Sequence, residues 1–265
     1  MNLRFRAIAL STSALLLASL AHPVLAIVVR HDVDDAAYLA RQSDYPAAFG
    51  LYRTKAGHND CIATLIGPRH AITAAHCAKA RALLDAVGPQ GAGYEVRIAG
   101  LPARIDAVIH HLGLGAGRAP DLALLRLAEP VTHVAPIPLY RGSNEVGQVI
   151  VMPGWGGKGN GSTGLGTEDG LFRVAENRVD GVRDQKIHWR FDDPAKGEAL
   201  TLEGISGPGD SGGPALIKTP DGWQIAGVSS SQDTMDGPEG LYGVDEYFVR
   251  ISAFAAWIDG HLTSD

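Results

Sequence analysis

The 265-residue sequence predicts an all-β fold of the barrel or sandwich class, and three observations carry that prediction. Apolar Ile187, Trp189 and Phe191 alternate with Lys186, His188 and Arg190, the period of a half-buried strand. Two hairpin signals recur: Ile62 to Ile66 and His70 to Ala74 flank Gly67-Pro68-Arg69, and Leu216 to Lys218 and Trp223 to Val228 flank Pro220-Asp221-Gly222. One convincing helix closes the chain, where Ile251, Phe254, Ala255 and Ile258 share a face at helical spacing. Short strands joined by glycine-rich turns are the mark of that class.

In chain order, residues 1–26 have the layout of a secretory signal peptide. Arg4 and Arg6 form a basic head, Ala7 to Leu20 is an apolar run broken by four hydroxyl residues, and Val24-Leu25-Ala26 offers a cleavage site. The run is shorter than the roughly 18 to 20 residues that a bilayer span needs. Cleavage after Ala26 leaves 239 residues and takes the net charge from −6 to −8. A competing cut after Ala21 leaves a five-residue propeptide, His22 to Ala26. An acidic chain without basic runs argues against nucleic acid and anionic membrane as partners. Cys61 and Cys77 are the two cysteines, and in an exported chain such a pair forms a disulfide or stays as buried thiols.

Tyr94 to Ile98 and Gln148 to Met152 read as further strands. Gly154 to Gly170 holds eight glycines and reads as a mobile loop. His110-His111, at a strand end without a nearby cysteine or carboxylate cluster, reads as a surface pair rather than a metal site. No metal and no cofactor are expected.

Three stretches carry chemistry. In GPGDSGGPA (207–215) a serine is flanked by glycines, which permit a tight turn and leave backbone N–H groups open to a substrate oxygen. TAAHC (73–77) offers a histidine base at a strand end, and DLALLRL (121–127) an aspartate heading an apolar strand. A serine hydroxyl needs a neighbouring base to become a nucleophile, and the base needs an orienting group. Singly, each stretch reads as a turn, a structural histidine or a cap. Together, in the order His, Asp, Ser, they point to a nucleophilic hydrolase.

These motifs, with GWG (154–156) and the terminal FVRISAFAAWI (248–258), resemble the trypsin-like, chymotrypsin-fold serine peptidases of the secreted bacterial type. The resemblance implies two six-stranded antiparallel β-barrels, 27–135 and 136–265, with a C-terminal α-helix and the active site between the barrels. It implies Ser211 as nucleophile, His76 as general base and acid, and Asp121 as the residue that orients His76. Gly209 and Ser211 would supply the oxyanion-hole N–H groups, and Cys61–Cys77 would pin the histidine loop. The substrate pocket would include Ile205, six residues before the nucleophile, with Ser206 and Ser230. Ile205 stands where trypsins carry aspartate, which favours an apolar or small substrate side chain. Gly207 replaces a pocket cysteine. An acid between Gln232 and Glu246 (Asp233, Asp236, Glu239, Asp245 or Glu246) would favour Arg or Lys instead.

In the resembling family a newly cut Ile-Val terminus pairs with the aspartate before the nucleophile. That implies an ion pair between Ile27 and Asp210, formed by signal cleavage itself. Val29-Arg30 departs from the usual glycines there, and the plainer alternative makes Ile27-Val28 an edge strand. The implied function is a secreted, periplasmic or extracellular, monomeric serine endopeptidase acting on polypeptides, off the membrane once its leader is removed. A non-catalytic binding protein on a peptidase scaffold, or an esterase, is the alternative. Gly-x-Ser-x-Gly also occurs in α/β-hydrolases, but only 54 residues follow Ser211 and the helices that fold needs are missing.

Overall fold

The computed structural model describes residues 27–52, 60–113, 119–234 and 237–263, so the expected leader, residues 1–26, lies outside the described residues. The first half supplies β1 (Val28–Val29), β2 (Ala48–Gly50), β3 (Ile62–Gly67), β4 (His70–Thr73), β5 (Tyr94–Ile98), β6 (Leu101–His110) and β7 (Ala123–Leu127). Strands β2 to β7 make one six-stranded sheet in the order β2-β3-β4-β7-β6-β5. It curls until β2 meets β5, which closes a barrel-like wall.

The second half supplies β8 (Val149–Gly154), β9 (Gly157–Asn160), β10 (Gly164–Glu168), β11 (Arg173–Arg178), β12 (Gly181–Arg183) and β13 (Lys186–Arg190). It continues through β14 (Gly204–Ile205), β15 (Pro214–Thr219), β16 (Gly222–Asp233) and β17 (Asp245–Arg250). Its main sheet has seven strands, one more than the resemblance implied, in the order β11-β8-β15-β16-β17-β13-β12. The Asn177 amide of β11 donates to the Arg190 carbonyl of β13 at 3.1 Å, across the closure.

The glycine-rich stretch is not a mobile loop. It forms β9 and β10, and with β1 and β14 they make a small sheet in the order β10-β9-β1-β14. Glycine is needed there because a Cβ on Gly159 would lie 2.6 Å from the Gly164 carbonyl oxygen, and one on Gly161 would overlap the Tyr242 ring. Strand β1 is therefore interior, between β9 and β14, and not an edge.

The predicted terminal helix is α3 (Ala255–Leu262). Two short helices, α1 (Ala75–Ala78) and α2 (Arg81–Val87), went unpredicted because one or two turns show no period. Ile251, Phe254 and Ile258 reach back into the core of the first barrel, so the chain's end ties the halves together. Ile27 and Val28 pack into the core of the second. Between the barrels, Ala48 and Ile62 meet Trp155 and Phe172, which explains why β3 is buried along its whole length. Among the described residues no helix is long and apolar enough to cross a membrane.

Cys61 and Cys77 are joined as a disulfide across a 16-residue separation, with Cα atoms 6.0 Å apart. Loop-closure entropy for such a span is worth about 3 kcal/mol. Replacing both cysteines with alanine should lower unfolding stability by about that amount in denaturant titration. An unchanged midpoint would show that the bond contributes nothing.

Candidate active site

Register brings the candidate residues together. Strands β4 and β7 pair antiparallel with Thr73 opposite Ala123, so the chain leaving β4 and the chain entering β7 lie at one end. His76 is three residues beyond that pair and Asp121 two before it. The His76 ring Nδ1 lies 2.7 Å from Asp121 Oδ2, and the His76 backbone N–H donates to Asp121 Oδ1 at 2.8 Å. The Ser230 hydroxyl donates to Asp121 Oδ2 at 3.0 Å. Ser230, expected in the substrate pocket, braces this carboxylate and also lines the cleft beside it. The cause is a register shift between β16 and β17 at Ser229/Ser231, which turns the intervening residue aside.

Burial pushes the Asp121 carboxyl up, but the His76 hydrogen bond and charge, the His76 amide and Ser230 outweigh it, and the net shift is downward. The carboxylate stays ionised. With Nδ1 turned to it, the neutral imidazole presents Nε2 as an acceptor toward the cleft.

Ser211 arrives from the second barrel on the turn between β14 and β15. Its carbonyl accepts from Ile62 N–H at 2.8 Å, and Cys77 Sγ touches the same oxygen at 3.5 Å. Having no hydrogen, that disulfide sulfur makes a contact and not a hydrogen bond. A His76 ring nitrogen lies within 4.8 Å of the two disulfide sulfurs, so the bond is wedged between base and nucleophile loop. This is the metal-like group of Cys and His among the described residues, and its two sulfurs are already bonded to each other. Gly212, at φ +79°, packs so closely on Ile62 and Thr73 that a Cβ would overlap both. Gly209 takes φ +100°. Neither Gly209 N–H nor Ser211 N–H has an acceptor among the described residues, and the Ser211 hydroxyl makes no hydrogen bond to His76.

Asp210 is buried with no cation beside it among the described residues. Its Oδ1 accepts from Trp155 N–H (3.1 Å) and Gly156 N–H (3.3 Å), and its Oδ2 from Gly207 N–H (3.2 Å). Gly154 must be glycine, since a Cβ there would overlap Oδ1. Burial pushes Asp210 up to about 7, the amides opposing the rise and the charge of Glu246 adding to it. Ile27 is wholly buried nearby in the fold: β1 pairs with β9, which follows Gly156, and with β14, which precedes Gly207. The Val29-Arg30 departure is accommodated, because Val29 pairs with Gly204 and Asn160 and Arg30 donates to the Leu200 carbonyl at 2.7 Å.

The expected pocket residues divide. Ile205 is fully buried opposite Val28 and belongs to the second core. Ser206 meets an acid that the sequence could only list among five. Its N–H donates to Glu246 Oε1 at 3.0 Å, and its hydroxyl bonds the same carboxylate. Trp189 Nε1 (3.1 Å) and Gln232 Nε2 (3.4 Å) also donate to Glu246. Burial pushes Glu246 up to about 6 against those hydrogen bonds. Of the other four acids, Asp245 pairs with Arg190, Asp233 and Glu239 are exposed, and Asp236 lies outside the described residues. The signal that would have found Glu246 is the strand pairing that sets it opposite Gln232.

His110 and His111 lie at the edge of the cleft beside His76. Both rings are partly buried, and His111 packs edge-on against Phe254 and Trp257.

Two barrel-like sheets with a histidine–aspartate pair and a glycine-flanked serine at their seam define a chymotrypsin-fold hydrolase architecture. The trypsin family model matches residues 38–258, and the chain belongs to that family. Among solved structures it is similar to neuropsin, a serine protease expressed in the limbic system of mouse brain. That match has 18% identity and a TM-score of 0.59, and covers 85% of this chain and 98% of the other. At such identity the likeness speaks for the fold.

Asp210 binds its proton more tightly folded, at about 7, than at its ordinary 3.8. The folded chain thus holds extra proton between those values, and this group's contribution to stability grows as pH falls through that window. With residues 1–26 retained, the thermal midpoint should rise more, or fall less, between pH 7.5 and 5 than in Asp210→Asn. The comparison cancels His110 and His111, whose lowered values act oppositely. Equal changes in the two proteins would refute the assignment.

Proposed function

We propose that the protein is a secreted serine endopeptidase that cuts polypeptides through an acyl-enzyme on Ser211. The observation that supports it most is the double hold of Asp121 on His76, by ring and by backbone, beside a glycine-flanked serine. His76 Nε2 takes the Ser211 proton as Oγ bonds to the scissile carbonyl carbon. The same nitrogen then gives that proton to the leaving amine as the C–N bond breaks, and water repeats the sequence to free the acid. Asp121 fixes the tautomer and stabilises the transient imidazolium. The unpaired N–H groups of Gly209 and Ser211 are the donors for the oxyanion, each worth about 3 kcal/mol of barrier.

Export supplies the switch in this reading. Cleavage after Ala26 creates an ammonium at Ile27, and pairing with Asp210 orders the 207–213 turn so that the Ser211 hydroxyl meets His76. The interior placement of β1 between β9, which follows the Trp155 and Gly156 donors, and β14, which precedes the Gly207 donor, supports this pairing.

The residue before the scissile bond is assigned to Glu246. Ile205 is committed to the core, whereas the Glu246 carboxylate stands against Ser206 without a cation among the described residues, covered by the Gln232 amide. A buried carboxylate held only by neutral donors gains from a cation that enters already positioned, so Arg and Lys are the preferred side chains.

Two measurements check these assignments. Ser211→Ala should lose fluorophosphonate labelling and on the order of 10^6-fold in turnover while keeping its fold, and full labelling of that variant would sink the nucleophile. In a peptide library, Glu246→Gln should move the preference from Arg and Lys toward uncharged residues. An unchanged profile would remove Glu246 from substrate selection.

A further inference from the structure

Asp210 takes two of its three N–H donors from Trp155 and Gly156, and the chain on either side of that pair is pinched into a neck. Before the pair, Gly154 ends β8 opposite Arg173 of β11. After it, Gly157 opens β9 opposite Glu168 of β10. The glycine-rich hairpin therefore leaves and returns through one gap, with Trp155-Gly156 on one side and Asp169 to Phe172 on the other. We propose that Arg173 is a positioning residue for the reaction, whose guanidinium closes this neck and ties it to the segment that follows β1. The Asp210 donors and Ile27 are then held as one unit. The inference rests on the peptidase function proposed above.

The Arg173 side chain is wholly buried and pairs with two carboxylates. Its Nε and Nη2 donate to Asp35 at 2.8 Å each, and its Nη1 and Nη2 donate to Asp169 at 2.9 and 2.6 Å. Asp35 opens the short 3-10 helix Asp35–Ala37, downstream of β1, and Asp169 stands on the return side of the neck. Backbone pairing runs alongside. Val174 N–H donates to the Tyr38 carbonyl at 2.9 Å and Ala40 N–H to the Phe172 carbonyl at 3.1 Å, with Leu39 bridged to Arg173. One guanidinium thus joins the terminal segment, the hairpin and β11.

Burial opposes a charged guanidinium, but the hydrogen bonds to Asp169 and Asp35 outweigh it and raise Arg173 above its ordinary value. The same bonds lower both carboxyls, and the charge of Lys158, exposed on β9, adds to that. The three groups stay ionised together. A planar fork of donors fixes the direction of both carboxylates as well as their distance. A buried ion pair adds little net stability over apolar packing of similar volume, so what Arg173 contributes is arrangement. Asp210 depends on that arrangement. It is buried with no cation beside it among the described residues, and two of its amides lie in the neck. Opening the neck withdraws those amides, and it frees β1, whose partner β9 begins there.

The test uses the exported protein with its terminus at Ile27. Asp35→Asn, Asp169→Asn and Arg173→Met together remove the clamp without stranding a buried charge. The control, Glu145→Gln with Arg250→Met, removes another ion pair, whose buried acid lies before the start of β8 rather than at its end. In the triple variant, hydrogen exchange at the Trp155 and Gly156 amides should quicken roughly fivefold, and kcat/KM on the best library peptide should fall by a similar factor. The alkaline limb of activity, set by loss of the Ile27 proton, should begin at lower pH. The control should show none of these changes. If the triple variant does not fold, Asp169→Asn alone, which keeps the Leu171 N–H bond and loses only the charge, must change all three in the same direction. Unchanged exchange, an unchanged alkaline limb, or equal changes in the control overturn the inference and leave the peptidase function standing. If wild type cuts no peptide, the peptidase function fails, and exchange at Trp155 and Gly156 then decides the clamp by itself.

Discussion

The structure turns on one buried carboxylate. Asp210 precedes the candidate nucleophile, and three amide N–H groups converge on it from two segments, Trp155-Gly156 and Gly207. Removing a carboxylate from water costs several kcal/mol unless a cation joins it. Neutral amides reduce that cost but leave the group pushed up to about 7. The glycines around it follow from the same crowding: Gly154 has no room for a side chain against Asp210, and Gly212 has none against the first barrel. The turn that carries Ser211 is thus held by a charge that the described fold does not neutralise.

Glu246 is a second buried acid in the same barrel, and its charge adds to the rise at Asp210. Two buried carboxylates without a cation among the described residues would weigh heavily on a marginally stable fold if neither ever met one. In the proposed function each meets one from a different source. The chain's own terminus answers Asp210, and the substrate's basic side chain answers Glu246. Specificity then arises from groups whose charge is satisfied only in the complex.

What the sequence disclosed was local chemistry. His76, Asp121 and Ser211 stand in short motifs whose turn residues announce themselves, and the alternation at 186–191 marks β13 directly. What it concealed depended on pairing. Glycine carries no hydrophobic period, so β9 and β10 looked like a loop until β1 supplied the partner strand. That Ser230 also braces Asp121 was hidden, because its turn toward that carboxylate comes from a register shift. Glu246 was one acid among five, singled out only by the strand that sets it opposite Gln232. Ile205 drew attention by its distance from the nucleophile, whereas its pairing with Val28 commits it to the core.

The most direct test of the central claim is a crystal structure of the exported protein, with its terminus shown by mass spectrometry to be Ile27. The account predicts the Ile27 nitrogen about 3 Å from an Asp210 carboxylate oxygen. It also predicts the Ser211 hydroxyl within hydrogen-bonding reach of His76 Nε2. An active protein whose Ile27 amine lies in solvent, with Asp210 still held only by the amides of Trp155, Gly156 and Gly207, would contradict it.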